Sequence, residues 1–273
     1  MTFKKLKIGI VGCGAIGSRI AKSTTNELKH HCQLSGVYDI DESKAFDLAQ
    51  TLGLKNIVHP TLKSLIKNSN CIVEAVNAKE THPIIKEALS SGKNVLAMSV
   101  GKLLNSPDLF ELAKKNKCQL LLPSGAVAGI DAVKAASLAS IKSIKLTTRK
   151  PPSGFRNNSY FINKGIDLSK IKKETILFEG KVDRAVKIFP QNINVAATLA
   201  LASGAEGKVM VRIMTSPDYK TNTHEIEIIG DFGRIVTSTE NVVCPDNPKT
   251  SYLAVLSGIQ TLKQFCTGIM IGT

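Results

Sequence analysis

A chain of 273 residues is long enough for one large or two modest domains, and its 43% hydrophobic content suits an ordinary core. No apolar run approaches the ~20 residues of a membrane span, so no membrane partner is expected. The net charge of +14 raises nucleic acid as a partner, but the lysines are spread along the chain and there is no Trp to stack bases, so the charge reads as a basic surface that draws in an anionic substrate or cofactor, and no nucleic acid is expected.

The N-terminal Met-Thr-Phe-Lys-Lys-Leu-Lys passes straight into a buried-strand pattern at residues 7–11, so no secretory signal is expected. Gly12, Gly14 and Gly17 then fall in the spacing G-x-G-x-x-G and a helix pattern continues over 15–27. Each glycine has a job in a dinucleotide site. Gly12 permits the tight turn out of the strand, Gly14 lets backbone approach a pyrophosphate, and Gly17 lets helix and strand pack closely. Gly12, Gly14, Ala15, Ile16 and Gly17 are therefore the expected phosphate cradle, at a helix N-terminus whose N–H groups favour anions. A second strand over 34–38 ends at Asp39, 22 residues beyond Gly17, where ~20 is the spacing for the carboxylate that binds the ribose hydroxyls of NAD and repels the 2′-phosphate of NADP. A solvated turn residue is the bland reading of Asp39.

Alternation continues: a helix over 42–52, a short strand over 57–59, a short helix over 62–67, a strand over 71–75, a helix over 81–89, a strand over 94–98, a helix over 107–115 and a strand over 119–122. Strands separated by helices of this length predict parallel βαβ units, with active groups at the strand carboxyl ends. Small or polar residues follow three of these ends, at Glu74-Ala75-Val76-Asn77, Ser99-Val100-Gly101 and Pro123-Ser124-Gly125-Ala126, where a nicotinamide ring could lie against backbone or where simple loop chemistry suffices. Residues 1–123 are thus expected to form an NAD-binding Rossmann domain.

From residue 124 the pattern changes. A helix over 128–139 leads into longer, alternating runs at 141–149, 175–179, 208–214 and 223–229, which predict an α+β domain over 124–245 with an open mixed or antiparallel sheet covered on one face. An alanine-rich helix is expected over 195–202, capped by Asn192 or Asn194. A final helix over 251–265, apolar on one side, is expected to carry residues 246–273 back to the first domain.

His224 alternates in phase with Ile226 and Ile228, so it reads either as an inert sheet histidine or as an acid/base group beneath an open sheet face. The six cysteines (13, 32, 71, 118, 244 and 266) include no C-x-x-C pair and read as reduced thiols of a cytoplasmic protein, with no metal site.

Taken together, Gly12 to Gly17, Ser99-Val100-Gly101, Leu122 to Ala126, Thr148-Arg149-Lys150-Pro151-Pro152, Phe189-Pro-Gln-Asn-Ile-Asn-Val-Ala-Ala197, the Thr223-His224 strand and Asn247-Pro-Lys-Thr-Ser251 make the chain resemble the L-aspartate dehydrogenase family nearly end to end. The Phe-Pro-Gln-Asn-Ile-Asn and Asn-Pro-Lys-Thr-Ser stretches are the specific ones. The chain departs from the family pattern at Val76-Asn77, where small residues are expected. The resemblance implies NAD(P)-dependent oxidation of L-aspartate to iminoaspartate, the first step toward quinolinate and NAD. It also implies His224 as the catalytic residue and Ala126 and Asn194 as cofactor contacts, with a homodimer and coupling to quinolinate synthase as expected partners. The two carboxylates of aspartate would need cationic or N–H donors, for which Lys249, Thr250, Asn192 and the helix start near Asn194 are candidates, although Lys249 could equally be a solvated loop lysine. The alternatives are a relative acting on another small amino acid or oxo acid, and an NAD-sensing protein that kept the fold without the chemistry.

Overall fold

The computed structural model describes residues 5–76, 79–155, 158–189, 193–245 and 247–272. It divides into two compact units, residues 1–123 with 255–271, and residues 124–254 with 272–273.

The first unit alternates β1 (Leu6–Val11), α1 (Ala15–Thr25), β2 (Cys32–Tyr38), α2 (Glu42–Thr51), α3 (Leu62–Lys67), β3 (Cys71–Glu74), α4 (Thr81–Ser90), β4 (Asn94–Ala97), α5 (Pro107–Lys115) and β5 (Leu120–Leu121). All its strand pairs are parallel, in the order β2-β1-β3-β4-β5. The segment expected as a strand over 57–59 contributes one parallel bridge, Val58 to Val37, on the outer side of β2. Counting that bridge, the order is that of a Rossmann sheet, with the reversal between β1 and β3, and ligands bind such sheets at the carboxyl ends beside the reversal. Helices cover both faces, so the strands are apolar without alternation: Ile8 and Ile10 in β1, Cys71, Ile72 and Val73 in β3, and Val95 and Leu96 in β4 are all inaccessible to solvent. Leu262 of the C-terminal helix is buried in the same cluster as Ile8, Ile20 and Leu96.

The second unit comprises α6 (Ile130–Ala136), β6 (Ile141–Lys150), α7 (Ser159–Asn163), β7 (Thr175–Lys181), α8 (Val182–Ile188), α9 (Asn194–Ser203), β8 (Val209–Thr215), β9 (Asn222–Gly230), β10 (Gly233–Asn241), β11 (Val243–Cys244) and β12 (Asn247–Ser251), followed by α10 (Tyr252–Thr267), whose residues from Val255 belong to the first unit. Its main sheet has the order β10-β9-β6-β8-β7 and is mixed, because β8 returns after the helices α8 and α9 to lie parallel to β6. One face is core: Ile144, Leu146, Val211, Ile213, Ile226 and Ile228 are buried, as are most residues of α9, and Tyr160, Phe161 and Phe189 pack on one another as edge-on and tilted rings, with Phe155 against Phe161 and Phe178 against Phe189. The other face carries ion pairs, Arg149 with Glu225 at 3.2 Å, Arg212 with Glu179 at 2.7 Å and Arg234 with Glu227 at 2.7 Å. Such pairs fit a solvated surface and contribute little stability each. Among the described residues no helix is long and apolar enough to cross a membrane.

Sequence patterning missed α7, α8 and β10. Strand β10 hides because Thr237, Ser238, Thr239 and Glu240 carry no apolar alternation, and the antiparallel register with β9, Thr239 opposite His224, supplies the ordering instead. The segment after Cys244, to which the sequence reading assigned no element, forms β12, paired with β11.

Candidate active site

The glycine loop follows from local sterics. Gly12 has φ +97°, and a Cβ there would meet the Ala75 carbonyl oxygen at 2.4 Å. At Gly17 a Cβ would lie 1.8 Å from the Gly12 carbonyl oxygen. These two glycines let the loop and α1 close onto β1. Gly14 differs: an added Cβ would meet nothing within 4 Å. A Cβ at Gly14 would stand in open space over the helix start, the position in which a pyrophosphate is cradled. Helix α1 starts after Gly14 without a side-chain cap, and its first internal bond is Ser18 N–H to Gly14 O at 2.8 Å, so the N–H groups of Ala15, Ile16 and Gly17 belong to the uncapped first turn.

Asp39 sits at the carboxyl end of β2 and is brought directly to this loop. Its Oδ2 accepts the Cys13 N–H at 2.7 Å and its Oδ1 the Asp41 N–H at 3.0 Å. Burial, and then the Asp39 charge, push the Cys13 thiol up to about 12, so it stays protonated. Beside them a cavity of about 190 Å³ is lined by Ser18, Lys22, Lys44 and Asp47. The chemistry of this set, backbone donors and a ribose-type carboxylate around an open cradle, fits a dinucleotide.

Glu74, fully buried at the end of β3, lies within the strand expected over 71–75, and sequence reasoning singled out its segment only as a possible seat for a nicotinamide ring or as simple loop chemistry. Its carboxyl accepts from Val76 N–H at 3.2 Å, Thr81 Oγ1 at 3.0 Å, Ser99 N–H at 3.1 Å and Ser99 Oγ at 2.9 Å. Burial raises its pKa, and these donors oppose the rise. The effect is to lock the segments that leave β3 and β4 to each other. Asn77, where the family pattern breaks, lies outside the described residues.

In the second unit, the core face of the sheet changes character at one end. Along β6 the aliphatic Ile144 and Leu146 give way to Thr148 and Lys150. Along β9, Ile228 and Ile226 give way to His224, and β8 ends in the buried Thr215. Period-two alternation puts each set on one face, and register makes Thr148 the direct neighbour of His224. The Thr148 Oγ1 and His224 Nδ1 are 3.0 Å apart, which fixes the ring and leaves Nε2 with no partner among the described residues. His224 is only 4% exposed. Burial, reinforced by the Lys150 charge, pushes its pKa down to about 3, so the imidazole is neutral at physiological pH. The expectation of an open face is therefore corrected. His224 lies on the covered face, where the aliphatic core ends.

Ala126 and His224 are brought together by Thr239 on the neighbouring strand, whose hydroxyl lies 3.1 Å from the Ala126 carbonyl oxygen and 3.3 Å from that of His224. Asn241 Nδ2 also donates to Ala126 O at 3.0 Å, while its buried Oδ1 has no partner among the described residues. Asn194 is exposed and is the first residue of α9, with Ile193 in the capping position and no side-chain cap, so the expected cap is corrected. Thr250 lies half-buried in β12. Lys249 lies in the same strand with its side chain outside the description, and Asn192 lies outside the described residues. Thr148, Thr239, Asn241 and Lys150 went unassigned in the sequence because only sheet register reveals that they surround His224 and Ala126.

Comparison with known proteins agrees with this division. Residues 131–265 match the family model described as aspartate dehydrogenase, C-terminal, and residues 12–123 match the NAD binding domain of homoserine dehydrogenase. The chain is 45% identical over 271 residues to L-aspartate dehydrogenase of Methanosarcina mazei, covering 98% of this chain and 100% of the relative. It is 39% identical over 271 residues to the enzyme of that name from Methanococcus maripaludis, again covering 98% and 100%. Among solved structures, aspartate dehydrogenase from Thermotoga maritima superposes with a TM-score of 0.72 at 23% identity, covering 98% of this chain and 100% of that one, a likeness of fold. With full-length identity at this level, the chain belongs to the aspartate dehydrogenase family.

Proposed function

We propose that this protein oxidises L-aspartate to iminoaspartate, which water converts to oxaloacetate and ammonia. The observation that carries the reading is His224, a buried neutral imidazole with Nδ1 held by Thr148, in a chain 45% identical end to end to an enzyme named L-aspartate dehydrogenase. Bound NAD(P) supplies the hydride acceptor. Gly12, Gly14, Ala15, Ile16 and Gly17 hold its pyrophosphate and Asp39 its adenosine ribose, and the sequence resemblance adds Ala126 and Asn194 as cofactor contacts. The amino acid arrives with a protonated amine, and Cα can surrender hydride to give an imine only after that amine loses a proton. His224 Nε2 accepts it. Alternatively, once the ring is neutral again after passing its proton to solvent, it activates the water that hydrolyses the imine. Thr250, Asn192 and Lys249 are kept as contacts to the substrate.

The sequence resemblance supports a wider reading, in which the product feeds quinolinate and NAD synthesis in the cytoplasm, with a homodimeric enzyme functionally coupled to quinolinate synthase. The testing experiment is a turnover assay with NAD and NADP over a panel of amino acids, together with reductive amination of oxaloacetate. Aspartate should be the preferred amino acid and oxaloacetate should be aminated. Preference for another amino acid, or nucleotide binding without turnover, would overturn the reading.

A further inference from the structure

We propose that Thr239 and Asn241 are positioning residues, which fix the turn carrying Ala126 to the strand beside His224. This rests on the reading of Ala126 as a cofactor contact and His224 as the proton acceptor, and it names the residues that set one against the other.

Strand β10 has an unusual composition for its place. It is an edge strand, and its residues 237, 239 and 241 share one face by two-residue alternation. Thr239 lies opposite His224, so this is the covered face, along which the neighbouring β9 continues with the buried Ile226 and Ile228. Aliphatic side chains would suit that face. β10 presents two hydroxyls and an amide there, and all three donate to backbone carbonyls of a single turn. Thr237 Oγ1 donates to Ala128 O at 3.2 Å, Thr239 Oγ1 to Ala126 O at 3.1 Å, and Asn241 Nδ2 to the same Ala126 oxygen at 3.0 Å.

The turn is shaped to sit on the strand. Gly129 has φ +82°, and a Cβ there would lie 2.7 Å from Thr237 Cγ2, so glycine permits the approach. Ala126 and Val127 are buried. A carbonyl oxygen offers two lone pairs, and at Ala126 each has a donor. Because a carbonyl can only accept, the contact also settles which end of the Asn241 amide faces it. Ala126 O is therefore a fixed strut, and what it fixes is the place of its own residue.

The consequence is one of alignment. Ala126 closes the run Pro123-Ser124-Gly125-Ala126, which reads as a seat for a nicotinamide ring against backbone. The Thr239 hydroxyl that holds this residue also lies 3.3 Å from His224 O, so the ring's backbone contact and the proton acceptor belong to one hydrogen-bonded unit. Hydride transfer is sensitive to such placement: a misplacement of about 1 Å costs about a hundredfold in rate.

The test compares wild type with Thr239→Val, Asn241→Leu, the double variant and Thr239→Ser. Calorimetry gives affinity for NADH and for ADP-ribose, a cofactor fragment without the nicotinamide, and melting temperature and aspartate turnover are measured on the same preparations. Thr239→Val and Asn241→Leu should each weaken NADH by about tenfold, the loss when a buried hydrogen bond is removed, and leave ADP-ribose within about twofold of wild type. The double variant should lower kcat by about a hundredfold. Thr239→Ser, which restores the hydroxyl, should recover most of both losses. Asn241 is only 3% exposed, so where Asn241→Leu does not fold, the Thr239→Val and Thr239→Ser pair carries the test. A folded Thr239→Val with NADH affinity and kcat within about twofold of wild type would overturn the proposal. So would an equal loss of NADH and ADP-ribose affinity, which marks general damage to the fold. Wild-type enzyme that leaves aspartate unoxidised overturns the functional reading as well, whereas wild-type turnover with indifferent Thr239 and Asn241 variants overturns this proposal alone.

Discussion

Asp39 Oδ2 accepts the backbone N–H of Cys13 at 2.7 Å, so the carboxylate at the end of β2 and the glycine loop after β1 form one hydrogen-bonded unit. Cofactor choice and phosphate binding are thereby coupled. Asp39→Ala is expected to narrow a preference for NAD by removing both ribose acceptance and repulsion of a 2′-phosphate. Lys44, which senses the Asp39 charge, and Lys22 line the adjoining cavity, so NADP should gain absolutely once the carboxylate is gone. Because the Cys13 bond is lost too, NAD affinity should also fall. Titration of both nucleotides into both proteins checks this, and an unchanged NAD to NADP ratio would remove Asp39 from the ribose site.

The three glycines of the loop make separable predictions. Gly14→Val places its side chain in open space, so the fold should survive with a normal melting temperature while NAD binding collapses. Gly17→Ala, with its Cβ 1.8 Å from the Gly12 carbonyl oxygen, should instead damage the fold. Melting curves and calorimetric NAD titrations of the two variants test the contrast. Retained NAD affinity in a folded Gly14→Val protein would move the phosphate site elsewhere.

The first half of the molecule was legible in sequence because its information is local. Glycine spacing, the interval to Asp39 and the rhythm of apolar strands with amphipathic helices each span a few turns. The second half was less so, for a physical reason. His224 could be placed on a face by alternation, yet which residues neighbour it depends on strand register between β6, β9 and β10, set by segments 76 and 15 residues apart in the case of Thr148 and Thr239. Glu74 escaped for a similar reason: two of its four donors come from Ser99, 25 residues away. The covered, polar sheet end around His224 is a product of that pairing, which is why periodicity alone suggested an open face.

Acid should destabilise the protein through His224. Its folded pKa is pushed down to about 3, below the ordinary value of 6.5, so between those values the unfolded chain binds a proton that the folded one refuses. Stability then falls as pH drops from about 6.5 toward 3, by on the order of 1.4 kcal/mol per pH unit for one proton. Lys150 acts at the other end: with a folded value near 8 against 10.5, its penalty is present below about 8 and relieved as pH rises toward 10.5. Melting temperature against pH should show a shallower acid limb for His224→Gln than for wild type, and parallel limbs would mean that the imidazole titrates normally when folded.

His224→Ala separates the catalytic role from a structural one. Removing the imidazole leaves no group on Thr148 to accept the amine proton, so turnover should fall by about a hundred- to ten-thousand-fold, the usual range for a lost acid/base group. NAD affinity should barely change, since the glycine loop and Asp39 belong to the other unit. Thr148→Val keeps the base but frees the ring, so it should lower kcat less than His224→Ala and leave aspartate KM nearly unchanged. A purely structural histidine predicts the reverse: truncating a side chain that is 4% exposed would lower the melting temperature while the folded fraction kept its turnover. Measuring melting temperature, NAD affinity and aspartate oxidation on the same preparations distinguishes the two, and a well-folded His224→Ala protein with near-normal aspartate oxidation would end the assignment.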